Sequence, residues 1–568
     1  MMERTTRSFG AVGDGLDDDR LALEAASTWL NAEPGRTLTV VGTPRVGRRA
    51  TPVFTDNIAK EGAITILQPE HATLVFAPGA RLLMDNLGEA DVGDDMHGIV
   101  VRGPGHDVLI VAPRVEWVTE PGSRSQGDGI RCHGYPHDSN LGAAGDGLIS
   151  RITVLDSYVK WAPQSGLVFN GCSDVRVSFH QADETLADGC HFNACRRVEA
   201  GNISGKATGD DTCAFVTYYD AASVETGTPG IAPYAQPSLT EWCGSESHVG
   251  TVNCQGSEAS ALRLAGALDV HVDSVVGQGA TQAASADGGV SGGGFDWSFL
   301  QPRGCSIGLI TATACGIGYQ SRSFNTDPET DDENFWRQDV AVGSVVARGC
   351  TNKSVHIDTV AGTSIGSIDA EDCPVIGDHV EDVRIGSIRL FDAGLTVIQG
   401  RTDDETFGNP RPPTNLFIGS LSLTGSSLNL QDVSGGSIGV FRSVDAPRDG
   451  LVLERTSDLA LPNIAMERPN RDNDEGEKRG ILAFPALRIR IGQWTVTNDT
   501  NNFMVFNVQS GSADISIEDL TVETERNADD LPRYVDAATD DIYFSARFRN
   551  NGEASPVWRY VHVAETRT

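Results

Sequence analysis

Three stretches of this 568-residue chain repeat one another at a fixed offset. The run from Gly166 to Val177 returns 23 residues later from Gly189 to Ala200, and after another 23 it begins again at Thr212. Phe169, Phe192 and Phe215 fall in register, as do Cys172 with Cys195 and Cys190 with Cys213. Related units begin at Gly98, Ala261 and Gly450. A second strand type, of the form Ile/Val-Gly-Ser-Ile/Val, centres on Gly343, Gly366, Gly386, Gly419 and Gly439, at spacings of 23, 20, 33 and 20. Units this short bury their apolar residues only against the next unit, so the chain must stack into a solenoid. A β-propeller needs about 40 residues per blade and hairpin turns, which this period excludes. The expected fold is all-β: a single-stranded parallel β-helix, right-handed as parallel crossovers are. Its coils should lie about 4.8 Å apart, with the Phe and Cys columns stacked inside.

A solenoid has open ends that need atypical caps. Asp17, Asp18 and Asp19 precede Arg20–Leu30, where Leu23, Ala26 and Leu30 have helical spacing, so an N-terminal capping helix with an acidic N-cap is expected. Pro34-Gly35 should end it. The expected domains are a cap over 1–60, the β-helix over 61–466, a polar excursion over 467–480, and terminal coils with a C-terminal β cap or oligomerisation region over 481–568. Inserts are expected near 218–247, 280–304 and 321–338, carrying much of the aromatic stock. Leu487–Ile491 and Tyr543–Phe548 read as long terminal strands.

The formal net charge of −34 repels nucleic acid and anionic membranes, and neither is an expected partner. No apolar run reaches membrane-spanning length. The 11 Cys have no paired or zinc-ligand spacing, so buried free thiols are expected. Met1–Arg7 is charged with no apolar stretch after it, so no export signal is expected, and release by lysis within a virus particle becomes the expected route out.

Chemistry concentrates at Asp188, Asp210 and Asp211. Asp188 and Asp211 are 23 apart, hence on neighbouring coils, and Asp210 adjoins. Strict alternation with Cys190 and Cys213 turns Asp188 and Asp211 inward unless they lie in the turn before the strand, while Asp210 has outward parity. Three close carboxyls cannot all ionise freely, so at least one should hold its proton. A protonated acid beside ionised carboxylates suits glycosidic cleavage. The other reading is that they are ordinary turn residues bonded to backbone. His191 has outward parity beside them. Tyr218, Tyr219, Trp242 and Trp297 on the inserts offer flat faces for sugar rings, or simply pack the inserts down. His180, Asp183 and Glu184 read as a polar loop. Asp327, Asp331, Asp332 and Glu333 lack the calcium-loop pattern, so calcium has no support and no metal or other cofactor is expected.

Asp188-Gly189 followed by Gly209-Asp210-Asp211-Thr212-Cys213 resembles the polygalacturonase group of glycoside hydrolases. The resemblance covers about residues 165–216 and implies Asp210 as general acid, Asp188 and Asp211 as base, and inversion. That family's Gly-His-Gly and Arg-Ile-Lys elements are absent downstream, where His248 and Arg263 stand in loosely. The opening, Ser8-Phe9-Gly10-Ala11-Val12-Gly13-Asp14-Gly15 with the capping helix, resembles pectate-lyase-superfamily β-helices, a group that includes phage tail-spike depolymerases. Together these imply a virion-borne tail-spike or minor tail protein, a homotrimer contacting other tail proteins, that binds and depolymerises a bacterial surface polysaccharide. The alternatives are an exported bacterial glycoside hydrolase or lyase, and a non-catalytic receptor-binding or structural tail protein.

Overall fold

A computed structural model describes residues 2–47, 62–87, 96–125, 127–134, 149–219, 238–239, 243–290, 298–324, 333–400, 414–469, 478–498, 503–508, 512–524, 540–550, 553–554 and 558–560. Two compact units divide the chain, one built mainly from Met1–Thr311 and the other from Ala312–Ser323 with Trp336–Thr568.

In the first unit the earlier coils carry three short strands each, and like strands stack in parallel into three walls. The first wall runs Gly62–Leu67, His97–Arg102, Ile130–His133, Leu167–Asn170, Cys190–Asn193, Cys213–Val216, Ser260–Ala265 and Gln282–Val290. Its register sets Ile130 on Ile99, Leu167 on Ile130, Cys190 on Leu167, Cys213 on Cys190 and Leu262 on Cys213. The second wall passes through Glu70–Phe76, Gly105–Val111 and Ile149–Leu155. The third passes through Leu82–Asp85, Arg114–Trp117 and Ser157–Lys160. From Cys172 onward the second and third strands join into one long bent strand, Cys172–Asp183 and then Arg196–Lys206.

The expected interior columns are present. Phe169 stacks on Phe192 at 5.3 Å and Phe192 on Phe215 at 4.7 Å, nearly face to face. All 11 cysteines are buried free thiols. The capping helix spans Arg20–Asn31 and buries Leu23, Ala26 and Leu30. Its cap chemistry differs from the expectation. The Asp19 side chain makes no cap bond, and instead accepts N–H bonds from Val12 at 2.6 Å and Gly13 at 3.0 Å, so it pins the preceding loop rather than the helix end.

In the second unit the long strands Arg337–Arg348, Ala361–Glu371, Arg384–Gly400, Leu416–Gln431, Ser434–Val444 and Leu451–Glu467 stack in parallel. The glycines of the second strand type form one column there. A Cβ on Gly386 would sit 2.4 Å from the Gly366 carbonyl oxygen, and one on Gly419 2.4 Å from that of Gly386. The repeat therefore records a steric limit. Gly386→Ala should cost about 1–3 kcal/mol, as overpacking does, read as a lower melting temperature. Lys478–Leu487 and Arg490–Asn498 break at Arg488, whose positive φ of 53° corrects the single strand expected over 487–491. At the end, Asp540–Asn550 pairs in parallel with Ala513–Thr524 and antiparallel with Trp558–Tyr560, closing the stack with a different pairing.

Two insert boundaries also need correction. Gln282–Val290 is a regular rung of the first wall, in register with Ser260–Ala265, although its run of Ala, Ser and Gly lacks the large apolar residues that mark a strand in sequence. Residues 317–323 and 337–338 are strand as well. Among the described residues no helix is long and apolar enough to cross a membrane.

Candidate functional site

The turns entering three successive strands of the first wall, Ile130–His133, Leu167–Asn170 and Cys190–Asn193, end in glycine for a packing reason. A Cβ on Gly129 would meet the Gly166 carbonyl oxygen at 2.7 Å, one on Gly166 that of Gly189 at 2.6 Å, and one on Gly189 that of Thr212 at 2.7 Å. The residue before this position forms a column on successive coils: Asp128, Ser165, Asp188, Asp211, Ser260. Asp188 and Asp211 thus lie in the turn before the strand, and both are buried.

Asp188, Asp210 and Asp211 converge, each offering an oxygen within 4.8 Å of the others. The Asp211 N–H is shared between Asp188 Oδ1 at 3.1 Å and Asp210 Oδ1 at 3.2 Å. The second oxygen of Asp188 lies 2.8 Å from His191 Nδ1, and the second oxygen of Asp210 accepts from Arg124 at 3.1 Å. Asp211 accepts from the Ser260 N–H at 2.8 Å and faces the Arg263 guanidinium at 3.9 Å. Side-chain exposure separates them: 31% for Asp210, against 9% for Asp188 and 3% for Asp211.

Their protonation differs accordingly. Burial would raise the Asp188 carboxyl, but the charge and hydrogen bond of His191, helped by Arg124 and Arg263, outweigh it and hold Asp188 below the usual range. Burial raises Asp210, and the charge of Asp188 adds to it against Arg124 and Arg263. Burial pushes Asp211 well up; Arg263 opposes it, while Asp188 and Asp210 reinforce it. The trio therefore sets one carboxyl that ionises more readily than usual beside two that keep their protons to higher pH than usual. These atoms are close enough to hold a cation, but Arg124 and Arg263 already bring positive charge to them.

Sequence reasoning missed several members of this surface. Arg124 spans from the Gln164 side chain at 3.0 Å to Asp210. Asp128-Gly129-Ile130-Arg131 repeats the pattern Asp188-Gly189-Cys190-His191, but the segment between them destroys the 23-residue offset. Asp128 is fully buried, 2.7 Å from Arg131 and 3.3 Å from His97. Arg263, which the sequence does point to, donates to Asp287 at 3.1 Å and lies over the Phe299 ring.

The other expected contacts divide. Tyr218 is buried beside the trio and packs on Phe299 at 5.3 Å, with its hydroxyl pushed up by burial and then by Asp188. Tyr219 bonds Ser298 and meets Phe335 edge-on. His248 is a correction: it lies on the second wall, in register with Glu199 and His271, and its Nε2 is 3.0 Å from Asp273. The structure does not bring it to the trio, because it stands on a different wall, around a corner of the coil. Trp242, Trp297, Asp327, Asp331 and Asp332 lie outside the described residues, as does the Glu333 side chain.

The loop expected at His180 is a strand, in which His180 is fully buried, 2.8 Å from Ser157 Oγ and 3.0 Å from the Gly189 carbonyl oxygen. Burial lowers its pKa to about 4. A folded pKa below the ordinary value means the unfolded chain takes the proton first, so stability falls as pH drops through the window from 6.5 to 4. The full difference is about 3 kcal/mol. Asp210 and Asp211 act in the opposite sense, since their raised values favour the folded state on acidification. As pH drops through that window, His180→Gln should therefore lose less melting temperature than the native chain does.

Comparison with known proteins leaves the family open. No family model matches the chain, and no curated protein matches it. Solved structures do match. The tailspike protein of E. coli bacteriophage HK620, solved with a pentasaccharide, is 10% identical at a TM-score of 0.41, covering 96% of this chain and 81% of that one. The A-modules of two Azotobacter vinelandii mannuronan C-5 epimerases are also similar. AlgE4 is 13% identical at 0.36, covering 81% and 96%, and AlgE6 is 12% identical at 0.34, covering 87% and 100%. The fold assignment rests on the strand register itself.

Proposed function

We propose that the first wall binds a polysaccharide and cleaves its glycosidic bonds at the carboxylate trio. The observation that carries this reading is the split within the trio: Asp210, raised by burial and by Asp188, reaches solvent, while the adjoining Asp188 is lowered by His191 against its burial. Environments that push neighbouring carboxyls apart define an acid and a base. Asp210 would protonate the leaving oxygen, and Asp188, oriented by His191, would hold the attacking water. Asp211, buried and proton-rich, would position the pair through its N–H and does not serve as base in this reading. Arg131 and Arg263, on the outward row that includes His191, would contact sugar hydroxyls or acids.

A second reading is favoured by the hydrogen bonding. Each trio oxygen faces a donor or cation of the protein itself, and two of the three side chains are buried, which suits a wall that recognises glycan without cutting it. The sequence resemblance adds a virion-borne homotrimer acting on a bacterial surface glycan, with a free bacterial glycoside hydrolase or lyase as the alternative. Sizing in solution, with a heat- and detergent-resistant trimer on gels, separates these two.

The deciding experiment measures reducing ends released from a panel of bacterial surface and plant polysaccharides, by the native chain and by Asp210→Asn. Release by the native chain that is lost in the variant supports hydrolysis at the trio. Release that survives places the chemistry elsewhere. Binding without release from any glycan supports the recognition reading.

A further inference from the structure

At the corner where each coil of the first unit enters the second wall, one residue adopts a left-handed conformation. His71 has φ 57° and Asp107, on the next coil, φ 60°, and the register is fixed by Glu70 against His106. Left-handed Asp and Arg residues recur at this corner and pair between coils. Arg151 binds both oxygens of Asp107, at 2.6 and 3.0 Å, and Arg197 both oxygens of Asp174, at 2.7 and 2.9 Å. One corner departs from this pattern. At Asp107 two imidazoles enter as well, and both aim Nδ1 at the same carboxylate oxygen. His106 Nδ1 is 2.9 Å from Asp107 Oδ2, and His71 Nδ1 is 3.2 Å from it.

Three donor atoms on a tetrahedral ion with bonds of about 2.0–2.2 Å lie roughly 3.3–3.6 Å apart. Both His-to-Asp separations are within a few tenths of an ångström of that, and all three atoms lie within 4.8 Å of one another. The rings meet edge to face at 5.4 Å, so they converge without stacking over each other's nitrogens. His71 is 65% exposed, which leaves it free to close the remaining gap and leaves an open face for a water ligand. Arg151, bonded to both oxygens, fixes the carboxylate plane, as outer partners of metal ligands do.

We propose that His71, His106 and Asp107 form a surface site for a divalent transition ion of the Zn²⁺ class, bridging two successive coils near the N-terminal cap. Two nitrogens and one oxygen suit such borderline ions better than calcium or magnesium, which prefer oxygen alone. The guanidinium of Arg151 opposes the ion's charge, which points to moderate affinity. The site is separate from the carboxylate trio and independent of any activity there. Because the ion binds only the folded corner, it should raise the melting temperature as its concentration rises above the dissociation constant.

The test is calorimetric titration of the full chain with ZnCl₂, paired with the visible spectrum of the Co²⁺ form. The expected result is one ion per chain and no thiolate charge-transfer band, with binding weakened on the order of a hundredfold in His71→Ala and in His106→Ala, at least the loss that outer-shell changes bring. Asp210→Asn should bind as the native chain does. No binding of either ion overturns the proposal. So does binding that persists in the double variant, that shows a thiolate band from the buried cysteines, or that is lost in Asp210→Asn. Circular dichroism on the variants, whose changed side chains are at the surface, verifies that each is folded.

Discussion

Asp210→Asn is expected to lower glycan cleavage by about 10²- to 10⁴-fold, the usual contribution of a positioned proton donor, while leaving the melting temperature close to native. The amide keeps the shape of the side chain but has no proton of the right acidity to give. Stability should change little for two reasons. At neutral pH the native ionised carboxylate is opposed by burial and by Asp188, a penalty the amide removes. Its ion pair with Arg124, whose side chain is half exposed, contributes about 0–1 kcal/mol. The same assignment fixes the pH profile. Asp188, held low by His191, must be ionised, and Asp210, held high, must be protonated. Cleavage should therefore peak on the acid side and fall as pH rises through the Asp210 value. Rates measured against pH for the native chain check this, and an alkaline optimum contradicts the assignment.

Arg263→Ala is expected to destabilise the fold by about 3 kcal/mol, the lower end of what breaking a buried ion pair costs, since its own side chain keeps 23% exposure. Its guanidinium serves two carboxyls that are 1% and 3% exposed, Asp287 and Asp211. Removing it leaves the Asp287 charge buried without that cation, and it also takes packing away from Phe299. The double variant Arg263→Met, Asp287→Asn should recover much of the loss, because the charge that needed compensation is then gone. Urea unfolding of Arg263→Met, Asp287→Asn and the double variant measures the coupling. Full additivity would show that the pair is not what holds this corner.

The trio was legible because a parallel solenoid turns a fixed offset into contact. Asp188 and Asp211 are 23 residues apart and stack for the same reason that Phe192 and Phe215 do. The outward parity of Asp210 likewise followed from alternation, and its exposure agrees. His248 failed because proximity in sequence to a missing family element says nothing about which wall a residue occupies. His180 failed because local polarity was read as loop, whereas burial can be met by two hydrogen bonds, here to Ser157 and Gly189.

By itself, then, the sequence determined the coil period, the interior Phe and Cys columns, the helix that covers one end and the stacking of two of the three carboxyls. Each is a local pattern repeated at constant spacing, and stacking converts it directly into geometry. Tertiary structure decided what joins the trio: Arg124 reaching Asp210 across 86 residues, Asp128 entering the same column as Asp188, and Arg263 shared between Asp211 and Asp287. Turns of unequal length break the spacing at those coils. Long charged side chains also cross from one coil to another, and no periodicity in the chain records how far they reach.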